Sequence, residues 1–143
     1  MPHKPRAILD SSVVVSGIGW QRGEARLVLR LLAAGGFQSC RTPSLTSEWT
    51  DTLMRVAARE KLWKNPNWAN WLLWIKAISS LVPDIPTRKT VTRDPNDDPV
   101  VMAAVAANAL YIVTTDKDLL DLGKPYGIAC LTPREFLSEM LKT

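Results

Sequence analysis

Six carboxylates stand out by their positions in the chain. Asp10 follows the short apolar run "RAIL", and Glu48 stands five residues after Pro43. Asp97 and Asp98 precede the alanine-rich "PVVMAAVAANA", while Asp116 and Asp118 follow "LYIVTT". If acids from separate segments met at one place, like charges at short range would raise one another's pKa and oppose ionisation. Divalent cations remove that difficulty. Mg²⁺ and Mn²⁺ take hard oxygen ligands, and Mg²⁺ keeps several waters while using one or two carboxylates and substrate phosphate. Such a site lowers the pKa of a water and steadies the leaving oxygen in phosphodiester cleavage. No other nucleophile or base competes. The one histidine, His3, lies in the N-terminal tail, and Ser16 in "VVVSG" lacks the flanking glycines of a nucleophile elbow.

For that chemistry the chain must bring the acids together. A strand over Ala7 to Asp10 opens the fold, and a helix from about Gly23 to Ala34 follows, its face formed by Leu27, Val28, Leu31 and Leu32. "FQSC" reads as a second strand, and "LYIVTT" and "IACL" as later ones. The pairs Thr42-Pro43, Asn65-Pro66, Asp98-Pro99 and Thr132-Pro133 each set a capping side chain before a proline, predicting helices that start at the four prolines. Thr132 and Glu135 complete a capping box. Strands alternating with helices predict a three-layer α/β/α sandwich around a mostly parallel sheet, in which ligands gather at the carboxyl ends of the strands. A helix of about 11 residues after Asp98 descends about 16 Å. A strand of about six residues then climbs back about 20 Å, returning Asp116 to the level of Asp98. Asp10 ends its strand at that same edge, and Glu48 lies in the first two turns of its helix. Taken singly, Asp98 reads as an N-cap, Asp116 and Asp118 as a turn, and Glu48 as a solvated helix residue. Only their common placement argues for a metal site.

A chain of 143 residues is read as one domain, 1–143, able to bury its own core. Its net charge of +4 suits a polyanionic partner without requiring one. Cys40 and Cys130 lack metal-ligand spacing and read as buried free thiols. With no leader-like run after "MPHKPR" and no membrane-length apolar stretch, a cytoplasmic protein is expected. Arg22, Arg26 and Arg30 recur every four residues as a basic ridge. It reads either as a plain solvent face or as a track for an RNA backbone. A Trp-rich stretch, about 61–82, reads as an inserted helical arm with Trp68, Trp71, Leu72, Ile75 and Ile78 on one face and Trp63 and Trp74 beside it. Packing on the domain accounts for most of that face; a homodimer or an inhibitory partner would cover the rest.

The ordered set "LDSS", "SLTSEW", "NDDPVVMAAVAANA", "IVTTDKDLL" and "CLTPREFL" resembles the PIN-domain family of metal-dependent ribonucleases across nearly the whole chain. Within it, the chain most resembles the toxin components of toxin–antitoxin pairs. The resemblance implies an endoribonuclease using Mg²⁺ or Mn²⁺, with Asp10, Glu48, Asp98 and Asp116 as catalytic acids and Asp10, Asp98 and Asp116 on the metal. Ser11, Ser12, Thr114, Asp97 and Asp118 would support them, RNA would be the substrate, and an antitoxin protein the partner. One position departs from the pattern: Ser12 stands where the family usually has Asn. That substitution motivates the alternative of a PIN-like binding module without catalysis. A haloacid-dehalogenase-type phosphatase would need an acid where Ser12 stands, and a receiver domain would need a lysine that is not recognisable here.

Overall fold

The computed structural model describes residues 4–20, 23–59, 65–85 and 98–142. His3, Arg22, Trp63, Lys64 and Asp97 lie outside them. Five strands, β1 (Arg6–Leu9), β2 (Gln38–Arg41), β3 (Ser80–Leu81), β4 (Tyr111–Val113) and β5 (Ala129–Leu131), form one sheet in the order β3-β2-β1-β4-β5. Every pairing is parallel. β1 is central, with Ile8 level with Cys40 on one side and Ile112 on the other. Its successive residues Ala7, Ile8 and Leu9 are all fully buried. Side chains alternate between faces, so both faces of the sheet are covered, as an α/β/α sandwich requires.

The strand order reverses at β1: β2 and β3 build outward on one side, β4 and β5 on the other. The crevice at such a reversal, beyond the carboxyl ends of β1 and β4, is where open parallel sheets place ligands. Helices starting at this edge are α1 (Ser11–Gly19), α5 (Pro99–Ala106) and α6 (Lys117–Asp121), each directly capped by an aspartate. Helix α5 and strand β4 are both shorter than expected. At 8 and 3 residues they span about 12 and 10 Å, so the return of the chain to one level survives.

Helix α1 is absent from the sequence reading. "SSVVVSGIG" is rich in β-branched residues that favour strands, yet Val13, Val14, Val15 and Ile18 are buried around the helix. Tertiary burial on all sides, with Asp10 capping the first turn, outweighs propensity. Gly17 lets α2 (Glu24–Ala33) approach, since a Cβ there would lie 2.7 Å from Leu29 Cδ1. The buried face of α2 is accordingly Ala25, Val28, Leu29 and Leu32, and Leu27, expected inside, is 46% exposed.

Helices α3 (Pro43–Arg59) and α7 (Pro133–Met140) begin at the predicted prolines, and the Thr132–Glu135 capping box is present. The start at Pro66 needs correction. Asn65 donates from Nδ2 to the Ile18 carbonyl at 2.9 Å and accepts from the Asn67 amide at 3.0 Å. Its side chain is thus spent on a turn, and α4 (Trp68–Ile78) starts later. The Trp-rich stretch does not stand away from the domain. Leu72 and Ile75 are buried, Trp68, Trp71 and Trp74 pack partly buried against the core, and α4 delivers the chain into β3. Ile78 and Leu73 remain exposed.

Trp49, fully buried on α3, donates from Nε1 to the Leu9 carbonyl at 2.8 Å. This bond fixes the second turn of α3 against the end of β1, one residue before Asp10. Replacing Trp49 with Phe leaves that carbonyl without its donor in the core. Urea denaturation is expected to show a loss of about 1–3 kcal/mol; an unchanged midpoint would remove Trp49 from this role.

Candidate active site

The carboxyl ends of β1 and β4 lie side by side, because Leu9 is level with Val113. The residues that follow each strand therefore face one another. Asp10 is 5% exposed and caps α1, its Oδ1 accepting from the Ser11 amide at 2.9 Å. Its Oδ2 accepts from the Thr114 hydroxyl at 2.7 Å and from the Ser12 hydroxyl at 3.1 Å. Thr114 Oγ1 in turn accepts from the Asp116 amide at 3.0 Å, so one hydroxyl links two of the acids. Ser12 Oγ accepts from the Thr115 amide at 3.2 Å and joins the same two segments a second time. Serine thus supplies a donor to Asp10 at the position where the resemblance leads one to expect Asn.

Asp98 and Asp116 are helix caps and members of the acid edge at once. Each caps a helix, Asp98 Oδ1 accepting from the Val100 amide at 2.8 Å and Asp116 Oδ1 from the Asp118 amide at 2.9 Å. Capping pins these side chains at the sheet edge, where helix N-termini favour negative charge. Glu48 reaches the edge from α3, with Ser11 Oγ at 3.5 Å from its Oε1. Asp118 contributes its main-chain amide, and its own side chain is exposed.

Electrostatics tie the acids together. Burial pushes the Asp10 carboxyl above the usual aspartate range, its three hydrogen bonds pull the other way, and the Asp116 charge adds to the rise. Glu48 is likewise raised by burial first, then by Asp10 and Asp98, against a weaker opposing pull from Ser11 and Arg55. Among the described residues the one ion pair is Lys142 with Glu139, far along the chain on α7 and its end, so no basic side chain is paired with these carboxylates. Among the same residues, no three His, Cys, Asp or Glu side chains gather tightly enough to hold an ion unaided. Mg²⁺ requires only one or two protein carboxylates, completing its shell with water and phosphate oxygens. All-oxygen donors that repel one another in pairs fit a hard dication on those terms, with Asp10 and Asp116 as one pair and Glu48 and Asp98 beside them.

The basic ridge does not form as expected. Arg26 is buried, not solvent-facing: its Nε donates to the Gly17 carbonyl, Nη2 to the Ile18 carbonyl at 3.1 Å, and the guanidinium lies 4.2 Å from the Trp71 ring centre. Four-residue spacing cannot distinguish a solvated arginine from one that satisfies the carbonyls ending a neighbouring helix. Arg30 is exposed. The positioning roles of Trp49 and Thr115 were not legible, because the first donates to a main-chain carbonyl and the second offers its own amide to the Ser12 hydroxyl, both partners being remote in sequence. Cys40 and Cys130 are buried free thiols, as expected.

The PIN domain family model matches residues 6–118, a span that contains all four acids. Among solved structures, the crystal structure of PAE2754 from Pyrobaculum aerophilum superposes with a TM-score of 0.64 over 97% of this chain and 91% of that one. The two share 14% sequence identity, so the likeness is one of fold. Among curated proteins, none matches.

A carboxyl whose pKa is raised on folding holds its proton longer in the folded state than in the unfolded one. The contribution of such a group to stability is most favourable in acid and declines as pH rises from the unfolded pKa through the folded one. Asp10→Asn, which keeps the shape and removes the charge, is expected to raise Tm at pH 7 in metal-free buffer, with the gain shrinking to nothing below the ordinary aspartate range. A variant no more stable than wild type at pH 7 would contradict the repulsion described.

Proposed function

This chain belongs to the PIN-domain family, whose members are generally nucleases, and we propose that it is a Mg²⁺- or Mn²⁺-dependent endoribonuclease hydrolysing RNA phosphodiesters. The observation that carries this reading is Asp10: a buried carboxylate held by three donors, pressed by Asp116 and in turn raising Glu48, and paired with no basic side chain among the described residues. Of the expected ligands Asp10, Asp98 and Asp116, the pair Asp10 and Asp116, joined through Thr114, would hold the cation, with Asp98 and Glu48 beside them. When bound, it would supply Lewis acidity toward water and the phosphoryl oxygens and neutralise the crowded acids.

The chain's own groups do the positioning. Thr114 and Ser12 orient the Asp10 carboxylate by donating to its Oδ2, which leaves Oδ1 with the Ser11 amide alone. Thr114 also fixes the main chain of Asp116, so the two acids cannot move independently. Glu48, raised toward neutrality by burial and two acidic neighbours, is suited to accept a proton from the attacking water, since a base works best with a pKa near the operating pH. The hydrogen bond from Ser12 to Asp10 supports the catalytic reading over the alternative of a binding module without catalysis.

The finer reading is the toxin component of a toxin–antitoxin pair, supported by the sequence resemblance. An antitoxin or a second copy would cover the outer face of α4, where Leu73 is 62% exposed and Ile78 40%. No helix among the described residues is long and apolar enough to cross a membrane.

Cleavage of mixed single-stranded RNA with and without Mn²⁺ tests the reading directly. Wild type is expected to cut only with metal, Asp10→Asn to lose cutting, and Thr114→Val to lose about 10–100-fold. Mn²⁺ at 100 times its Kd should also stabilise wild type by about 2.7 kcal/mol and leave Asp10→Asn nearly unmoved. Metal-dependent cutting retained by Asp10→Asn would sink the mechanism.

A further inference from the structure

The edge of the sheet opposite the acids carries a hollow of its own. It measures about 480 Å³ and lies where β1 and β2 begin, lined by Lys4, Arg6, Gln38 and Asn108 with Pro5 and Leu110. Arg6 and Gln38 are the first residues of their strands and stand level with each other. Asp10 follows the far end of β1, about 13 Å away along the strand. A second hollow of about 390 Å³ shares Lys4 and Gln38 with the first and continues it along Leu32, Ala33 and Trp74. Among the described residues, no carboxylate lines either hollow.

Helices α2 and α5 end at this edge, and a helix C-terminus carries about half a negative elementary charge. Each end is met by a cation. Arg6 donates from Nη1 to the Ala107 carbonyl, which closes α5, at 3.1 Å. Lys4 sits over the turn after α2, its Nζ where a Cβ on Gly35 would lie only 3.0 Å away. Gly35 has φ 79°, so the missing side chain both permits the turn and leaves room for the ammonium. Two full cations against two half charges leave about one positive charge over. Both side chains are exposed, and neither is in the ion pair formed by Lys142 and Glu139. Charge complementarity therefore selects an anion, and the donors select its kind. A guanidinium fork alone satisfies a carboxylate. A phosphate group brings three acceptor oxygens, which the rest of the Arg6 fork, the Lys4 ammonium and the Asn108 carboxamide together can meet. We propose that this amino-terminal edge binds a small phosphomonoester, its phosphate between Lys4 and Arg6 and its ring or apolar part along Leu32, Ala33 and Trp74. Both volumes fall in the range of small-molecule pockets, roughly 300–1,000 Å³. A nucleic acid would need a stripe of cations, and these linings supply two. The site stands apart from the nuclease reading and does not draw on it.

The test is calorimetric titration of the full-length chain with adenosine monophosphate, in EDTA so that no metal can carry phosphate to the acids. Adenosine and inorganic phosphate serve as separate probes. Adenosine monophosphate is expected to bind more tightly than either part alone. Lys4→Gln and Arg6→Gln should each weaken it about tenfold or more, the loss of one charged hydrogen bond. Arg6→Gln also gives up the Ala107 contact and can lower Tm, so Lys4→Gln, which forfeits no such bond, decides between a lost site and a loosened fold. Asp10→Asn should leave the affinity as in wild type. Affinity unchanged in Lys4→Gln, adenosine binding as tightly as its monophosphate, or no heat from adenosine monophosphate at millimolar concentration would each overturn the site. Affinity that rises in Asp10→Asn would put the phosphate among the acids and overturn it equally. RNA cleavage enters none of these readings, so failure here leaves the nuclease reading untouched.

Discussion

Burial and the Asp116 charge push the Asp10 carboxyl toward its neutral form, while the Ser11 amide and the Ser12 and Thr114 hydroxyls draw it toward the ionised one. The rest of the structure serves this contest. Asp10 can be buried because β1 is central, and it can be reached by Thr114 because β4 pairs directly with β1. A strand order that separated them would leave the carboxylate without the Thr114 donor. The reversal in strand order thus creates a crevice and also supplies both walls of the site from adjacent strands.

The scaffold holds this edge with main-chain hydrogen bonds from side chains, which tolerate little displacement. Trp49 grips the Leu9 carbonyl, Asn65 and Arg26 both donate to the Ile18 carbonyl, and Arg26 stacks on Trp71. Helix α1 is therefore fixed at both ends, by Asp10 at its start and by two donors at its finish. A buried guanidinium is costly unless its donors are satisfied. Here they close carbonyls that the end of a helix leaves open, so Arg26 stabilises the corner on which α2 turns.

Much of this was legible in the sequence because the signals were local. Proline after a capping residue located α3, α5 and α7, and apolar runs located β1, β2, β4 and β5 but not the two-residue β3. The acid edge was legible through a length calculation that needed only alternating helices and strands. What escaped depended on neighbours. The valines after Asp10 carry a strand preference that only all-round burial overrides, so α1 went unseen. The face of α2 rotated because Gly17 admits Leu29, a contact between separate helices. Asn65 precedes a proline as a good cap would, yet its amide is recruited by the Ile18 carbonyl from another part of the chain. Arg26 carries the same spacing as a solvated arginine and differs only in having carbonyls within reach.

Three of the four acids hold two posts at once, since Asp10, Asp98 and Asp116 each close the first turn of a helix as well as facing the crevice. Asparagine serves as a helix cap about as well as aspartate, whereas alanine does not. Under the proposed function, mutational drift away from catalysis would have a sheltered route in this fold: carboxamide in place of carboxylate at these three places would keep the architecture, and inert descendants would carry Asn there far more often than Ala.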